Sequence, residues 1–217
     1  MKAKQRILKQ FPDVKVSEHL DMLAVHAPPE QLIDLMSWLK DNPKLKFELL
    51  TDACGVDFLH YGKAQWQTDQ ATSGGFSRAA DQIGENTEHG RFAMVYHLLS
   101  IEHHMRVRVI TDLADPPIAH TLVGIWPNVE WYEREAYDLY GILFEKHPDL
   151  RRILTDYGFS GHPLRKDFPL IGEVAIRYDA QKQSCVYEPV DIIEKVNIPK
   201  VIRHDARFDE RAEGESS

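Results

Sequence analysis

Two histidines are candidates for metal binding or acid–base catalysis. His147 and His162 each precede a proline, in a stretch that also contains Asp149 and Asp167. Imidazole nitrogens and carboxylate oxygens bind zinc and exchange protons in acid–base catalysis, so these four side chains could form a site if they met in space. The same residue types also stabilise turns through hydrogen bonds to the backbone. We take turn stabilisation as the prediction and the metal or acid–base site as its alternative.

A pair of carboxylates, Glu133 and Glu135, flanks Arg134 in a predicted helix. A helix has ~3.6 residues per turn, so residues two apart point about 200° from each other and cannot act together on one substrate. The simpler interpretation is that they belong to a solvated, charged helix surface. We favour another, in which one or more of these residues make charge-assisted hydrogen bonds across a subunit interface or to the Arg151–Arg152 pair.

The cysteines exclude several classes of site. Cys54 and Cys185 are the only two in the sequence, which rules out a disulfide scaffold, a four-cysteine zinc site and an iron–sulfur cluster held by four thiolates of this chain. Both have apolar or strand-like neighbours, so we predict buried or inert thiols. His97 shares a strand face with Val95 and Leu99, which predicts a core histidine.

Composition and charge narrow the class of protein further. The chain has 217 residues, of which 43% are hydrophobic and 28% charged, as in a globular domain. The net charge of −8 argues against nucleic acid as a partner, because phosphate binding requires a basic surface. Neither a P-loop nor a GxGxxG motif is present, and no apolar run approaches the ~20 residues of a membrane span. The N-terminus lacks a secretory signal pattern, so we expect a bacterial cytoplasmic protein.

Hydrophobic periodicity predicts the elements that position these residues. Apolar residues recur at helical spacing after Pro28–Pro29, whereas Met105, Val107 and Val109 alternate with arginines as in a strand with one buried face. The segment 47–58 is ambiguous, with Gly55 predicted to separate a helical part from a short strand. The predicted elements are a helix over 1–10, a strand over 22–25, a helix ending near 42, strands over 92–99 and 105–110 joined by a tight turn, and a helix from Asn128 to Gly141.

These elements indicate an α+β fold, a two-layer domain with a mixed or antiparallel sheet and helices. We predict one domain over 1–170, in which 61–90 is a flexible loop or insertion because it contains no leucine or valine and is rich in small and polar residues. Strand and helix periodicities fade from about 171. We therefore predict that 171–217 is an extended tail that binds a partner.

The stretch 126–170 is the most distinctive part of the sequence. It contains nine of the chain's 21 aromatic residues and a cluster of basic ones, types that are enriched at interface hot spots. The run EREAYDLYGILFEKHPDLRRIL, over 133–154, resembles the signature of the 30 kDa subunit family of respiratory NADH:quinone oxidoreductase (complex I). The continuation TDYGFSGHPLRKDFPL, over 155–170, is also similar, as are the pieces 54–57 and 95–99.

The resemblance implies a non-catalytic subunit of the peripheral arm with no cofactor of its own. FMN and iron–sulfur clusters would lie in partner subunits, in a complex that transfers electrons from NADH to quinone and pumps protons. The partners would be the quinone-site and iron–sulfur subunits, with indirect membrane association on the cytoplasmic side of the bacterial inner membrane. We predict no catalytic, cofactor-binding or metal residue. The candidates for contacts between subunits are Glu133, Arg134, Glu135, Asp138, His147, Arg151, Arg152, Tyr157, Arg165 and Lys166.

Two alternatives remain open from the sequence. The first is a homologous subunit of a membrane-bound hydrogenase or a related dehydrogenase, since those complexes contain similar domains. The second is a stand-alone metal-dependent hydrolase that uses His147, His162 and nearby carboxylates.

Overall fold

The computed structural model describes residues 2–19, 22–59, 61, 71–72, 75–76, 90–169, 172 and 174–190. The chain separates into two compact units, one formed by Met1–Tyr61 with Asn86–Leu170 and the other by Gly62–Glu85 with Ile171–Ser217. The elements in chain order are α1 (Lys2–Gln10), β1 (Lys15–His19), β2 (Met22–His26), a 3₁₀ turn (Pro29–Gln31), α2 (Leu32–Asp41), β3 (Leu49–Asp57), β4 (Ala71–Thr72), β5 (Gly75–Phe76), β6 (Phe92–Ser100), β7 (Met105–Leu113), β8 (Ile118–His120), α3 (Val129–Tyr140), β9 (Leu143–Glu145), β10 (Val174–Asp179) and β11 (Ser184–Pro189).

A five-stranded mixed sheet forms the frame of the first unit. Its order is β1-β2-β7-β6-β3, and only β2 and β7 run parallel. The β6–β7 hairpin turns at 101–104, as the sequence predicted, and both strands extend beyond the predicted ends. β8 and β9 form a separate parallel pair. The α+β fold with a mixed sheet is therefore confirmed.

The core lies on one face of this sheet, where the helices pack. Met94, Tyr96 and Leu98 of β6 are buried together with Leu35 and Leu39 of α2. Alternate residues of a strand point to opposite faces, which is why β6 and β7 each present every second residue to this core. The predicted helical stripe of α2 follows the same logic, because residues three and four apart share one helix face.

β3 differs from its prediction. It is one continuous strand, and Gly55 lies inside it instead of ending a helix. The pairing with β6 shifts between Leu50 and Asp52, and this bulge breaks the period-two pattern that would have identified the strand. A Cβ on Gly55 would lie 2.8 Å from Tyr140 and 2.9 Å from Ile142, so the glycine is required for close packing.

Cys54 and Cys185 were predicted to be buried or inert thiols; both are exposed, so the burial part of that prediction was wrong. Cys54 lies between two buried residues of β3, Ala53 and Gly55, and therefore points to the sheet face away from the core. Partial burial and the charge of Asp52 raise the pKa of its thiol. His97 is half-buried on that same face rather than in the core, and burial lowers its pKa.

The second unit contains two described strand pairs. β4 and β5 pair antiparallel within the segment predicted as a loop, and most of 61–90 lies outside the described residues. β10 and β11 form an antiparallel hairpin within 171–217, the segment predicted as an extended tail. The rest of the predicted tail, 191–217, lies outside the described residues. Among the residues that the structure describes, no helix is long and apolar enough to cross a membrane.

Candidate functional site

Helix α3 packs along β3, which is an edge strand of the five-stranded sheet and pairs with β6. Side chains at the start of the helix donate to backbone carbonyls in and before β3. Trp126 Nε1 lies 3.1 Å from the Glu48 backbone oxygen and Asn128 Nδ2 2.9 Å from the Leu50 backbone oxygen. Asn128 occupies the N-cap position, but its side chain makes no capping bond and instead fastens α3 to the strand. These bonds satisfy acceptors that an edge strand would otherwise present to other chains.

Asp138 is the organising residue of the segment that follows α3. Its carboxylate is fully buried and accepts hydrogen bonds from the backbone N–H groups of Ile153, Leu154 and Thr155 at 2.7–3.0 Å. It also accepts from the Thr155 hydroxyl at 2.5 Å and from Arg152 Nη1 at 2.8 Å. Burial alone would raise the pKa of Asp138, but these hydrogen bonds lower it well below its usual range. The charged carboxylate therefore holds 152–155 in a tight turn.

Two arginines make further contacts with this turn. Arg134, buried on α3, donates to the backbone oxygens of Arg151 and Arg152 at 3.2 and 3.4 Å. Arg152 in turn reaches the Gly161 backbone oxygen at 2.9 Å. A planar guanidinium can donate in several directions at once, so each arginine joins parts of the chain that are distant in sequence.

The C-terminal end of α3 is closed by residues from 162–165. Gly141 ends the helix with φ at +73°, as predicted for a left-handed C-cap. His162 Nδ1 donates to the Asp138 backbone oxygen at 2.9 Å, and Arg165 Nε donates to the Tyr140 backbone oxygen at 2.6 Å. A Cβ on Gly141 would lie 2.5 Å from Arg165 Nη2 and 2.6 Å from His162 Nε2. The helix end and the later loop thus fit together only around a glycine.

The same loop is tied to the sheet through Asp57 at the end of β3. Asp57 accepts from the Lys166 backbone N–H at 2.9 Å, and its Oδ1 lies 3.6 Å from Arg91 Nε. Arg91 also pairs with Asp167 at 2.6 Å. Sequence reasoning missed Asp57, Arg91 and Thr155 as positioning residues. Asp57 and Thr155 lay in the pieces 54–57 and 155–170 that resembled the family, which were the available indications.

Glu133 occupies a second, different buried site on α3. It is fully buried and accepts from the Thr121 hydroxyl at 2.5 Å and the Leu122 N–H at 2.8 Å. Burial raises the pKa of Glu133 to about 7, although the two hydrogen bonds act to lower it. His147 Nε2 lies 3.7 Å from Glu133 Oε2, while its Nδ1 accepts from the Asp149 N–H.

The ten predicted contact residues therefore divide into two groups. Six are buried or half-buried and make the internal contacts described above: Glu133, Arg134, Asp138, His147, Arg152 and Arg165. Four are exposed: Glu135, Arg151, Tyr157 and Lys166. Tyr157 is fully open to solvent.

The fold does not place His147 and His162 in one common site. His147 is seated against Glu133 in the middle of α3, whereas His162 closes its C-terminal end. Within the described ranges, no group of three or more His, Cys, Asp or Glu side chains is placed to hold a metal ion. Both histidines make the turn-stabilising backbone contacts that the simpler interpretation predicted.

Comparison with known proteins decides the family. Residues 25–174 match the family model of the respiratory-chain NADH dehydrogenase 30 kDa subunit. The chain belongs to this family. The matched range includes the whole of α3, the Asp138 turn and the loop through Asp167, so the contacts described above lie inside the family's domain.

Curated relatives agree over most of their length. The NADH-quinone oxidoreductase C subunit of Coxiella burnetii is 52% identical over 195 residues, covering 88% of this chain and 86% of the relative. The C subunit of Hydrogenovibrio crunogenus is 53% identical over 194 residues, covering 86% of each, and that of Legionella pneumophila is 48% identical over 194 residues, covering 86% of this chain and 84% of the relative.

One solved structure supports the fold. A chain from the membrane-bound sulfane sulfur reductase, an archaeal respiratory membrane complex, superimposes with a TM-score of 0.58 at 21% identity. The match covers 85% of this chain and 98% of that one. At this identity the likeness concerns the fold alone.

Proposed function

We propose that this chain is a non-catalytic, positioning subunit of the peripheral arm of NADH:quinone oxidoreductase. In this role it holds no redox cofactor, and FMN and iron–sulfur clusters lie in partner subunits. The complex passes electrons from NADH to quinone and couples this to proton translocation. The chain associates with the cytoplasmic side of the bacterial inner membrane only through its partners, the quinone-site and iron–sulfur subunits.

The observation that best supports this proposal is the way 147–169 is fastened. Buried charges on α3 hold its backbone at several points, among them the bonds of Asp138 and Arg134. The apolar and aromatic side chains of the same surface remain exposed: Trp131 is 58% exposed, Leu154 64% and Tyr157 103%. A surface whose backbone is already held in place loses little backbone conformational entropy on binding, and its exposed large side chains are accessible for contact. That combination favours an interface over a catalytic centre.

The β10–β11 hairpin supports a second contact with partners. Val174, Ile176 and Tyr178 alternate along β10, and Cys185 and Tyr187 stand opposite them on β11. All five lie on one face of the hairpin and all are exposed. A two-stranded hairpin is marginal in water without a covering partner, and exposed apolar patches mark interaction sites. We therefore keep 171–217 as a partner-binding segment.

The test is a mild-detergent pull-down of the tagged full chain from native membranes, with mass spectrometry and an NADH:quinone activity assay. We expect flavin and iron–sulfur subunits with activity. Leu154→Ala and Tyr157→Ala should lower the recovered partners by about tenfold or more, as truncated hot-spot side chains do. Ile101→Ala removes a similarly exposed aliphatic side chain at the β6–β7 turn and is the matched control.

The other outcomes would contradict the proposal. Recovery of hydrogenase-type subunits would indicate that the chain is a subunit of a membrane-bound hydrogenase or a related dehydrogenase. Recovery of the chain alone, with a stoichiometric metal in elemental analysis, would favour the stand-alone hydrolase. Equal recovery from Leu154→Ala and Ile101→Ala would leave the complex in place but remove this surface as its contact.

A further inference from the structure

A cavity of about 180 Å³ lies between the start of α2, the end of β7 and the β8–β9 pair. Its walls are mainly apolar and include Leu32, Leu113 and Ile118. Its polar lining groups are Glu30, Thr111, His120 and Glu145. None of these residues takes part in the contacts around α3 described above, so the cavity is a separate feature of the first unit.

Thr111 gives this cavity a polar end without a partner. The residue is fully buried on the core side of β7, and its hydroxyl has no hydrogen-bond partner among the residues that the structure describes. A buried hydroxyl left unpaired destabilises the fold, so such groups in native proteins normally meet water or a ligand. The hydroxyl can both donate and accept.

The remaining polar groups give the cavity an acidic character. His120 Nδ1 lies 3.0 Å from Glu145 Oε2, without the alignment of a hydrogen bond. Even a protonated His120 would balance only one of the two carboxylates, since Glu30 also lines the cavity. The site therefore combines aliphatic walls, a hydroxyl and net negative charge. These features suit an ammonium or guanidinium group at the end of an aliphatic stem.

The size of the cavity selects the kind of occupant. Sites for whole small molecules or cofactors are typically about 300–1,000 Å³, which is larger than this one. One long side chain fits the smaller volume. Beside the cavity, Ile118 and Leu143 are paired neighbours on β8 and β9 and are 41% and 45% exposed. An apolar surround of this kind excludes water around an inserted anchor residue.

We propose that this cavity receives a lysine or arginine side chain of a neighbouring subunit, whose charged end meets Thr111 and Glu145. The site lies apart from the surface around Leu154 and Tyr157, so it is an additional point of attachment. The occupant's stem would pack on Leu32, Leu113 and Ile118.

Two variants test the proposal in the assembled complex. Glu145→Gln removes the charge while keeping the shape, and we expect the chain to dissociate about tenfold faster in a salt-challenge pull-down, because an inserted cation loses its counter-charge. Thr111→Val removes the unpaired hydroxyl. It should leave the unfolding midpoint of the isolated full chain unchanged or raised while it speeds dissociation of the complex. Glu18→Gln, an exposed carboxylate on β1, is the matched control.

A photo-cross-link identifies the occupant directly. Ile118→p-benzoylphenylalanine in the assembled complex should cross-link to a neighbouring subunit within two residues of a lysine or arginine. Cross-links only within this chain, or to a peptide without a basic residue, would overturn the proposal. So would dissociation of Glu145→Gln at the rate of Glu18→Gln, which would indicate a cavity filled by water. In each of these cases co-purification of NADH:quinone oxidoreductase subunits would still leave the proposed function standing.

Discussion

The middle and the C-terminal end of α3 each bury a carboxylate, and the two regions treat that charge in opposite ways. Glu133 and Asp138 are both fully buried on the same helix. Asp138 accepts five hydrogen bonds, and its pKa lies far below the usual range. Glu133 accepts two, and its pKa is raised to about 7. Burial opposes ionisation of both carboxylates, and the larger number of donors at Asp138 outweighs that effect.

The difference between the two carboxylates concerns their contribution to stability at neutral pH. The region around Asp138 gains stability from an ionised carboxylate and holds 152–155 tightly. The region around Glu133, where His147 begins the segment, is destabilised by ionisation at neutral pH. One helix therefore carries a firm anchor for 152–155 at Asp138 and, at Glu133, a pH-sensitive contact with Thr121 and Leu122.

Asp138→Asn should have the largest effect. The amide would set its own N–H groups against the donors of Ile153 and Thr155 and would leave Arg152 without its counter-charge. We expect the free energy of unfolding to fall by about 3–5 kcal/mol at pH 7, as when a buried ion pair loses one partner. Urea unfolding of the full chain measures this change.

Thr155→Val is the graded control for that experiment, because it removes one of the five bonds and should lower the free energy of unfolding by about 1 kcal/mol. Since the folded pKa of Asp138 is depressed, its stabilisation is present above the unfolded pKa of about 3.9 and is lost only in stronger acid. Equal effects from the two variants would contradict the role of Asp138 as the centre of the turn.

Glu133→Gln should come next and should depend on pH. The folded pKa of about 7 exceeds the ordinary value of 4.5, so the folded protein holds a proton that the unfolded chain releases. The wild type should therefore lose roughly 3 kcal/mol of stability relative to Glu133→Gln as the pH rises from 4.5 to 7. Unfolding of both proteins across this range measures the difference, and parallel curves would place the titration elsewhere.

Gly141→Ala should have an intermediate effect on the free energy of unfolding. The new Cβ would require a positive φ and would displace Arg165 and His162. We expect a loss of about 1–2 kcal/mol in the free energy of unfolding. Gly124→Ala is the matched control because a Cβ there meets no atom within 4 Å. A similar loss from both would show that the helix end and the 162–165 loop are not coupled.

Arg151→Ala should have the smallest effect on the fold. Arg151 is exposed and pairs only locally with Asp149, whereas its neighbour Arg152 joins Asp138 to Gly161. We expect the urea midpoint to stay unchanged for Arg151→Ala and to fall for Arg152→Ala. Because we propose Arg151 as a partner contact, the amount of assembled complex should nevertheless decrease. Normal assembly would remove Arg151 from the interface.

Local patterns were sufficient for the three α-helices and for β2, β6 and β7. The helical stripe predicted α2, the alternation of valine and arginine predicted β7, and the glycine at 141 predicted the end of α3. β3 was missed because a bulge and a buried glycine disrupt the alternation on which strand prediction depends. The β10–β11 hairpin was not predicted, because the alternation of Val174, Ile176 and Tyr178 along β10 spans only five residues.

The sequence by itself determined the family, through the motif over 133–154, and it determined that Glu133 and Glu135 point in different directions. Only the tertiary structure decided which of them is buried. Helical periodicity is set by the backbone within a few residues, whereas burial and hydrogen-bond donors come from distant parts of the chain. The donors to Asp138 are mainly backbone N–H groups 15–17 residues later, which no pattern of side chains can reveal. The ionisation of each carboxylate therefore belongs to the folded molecule.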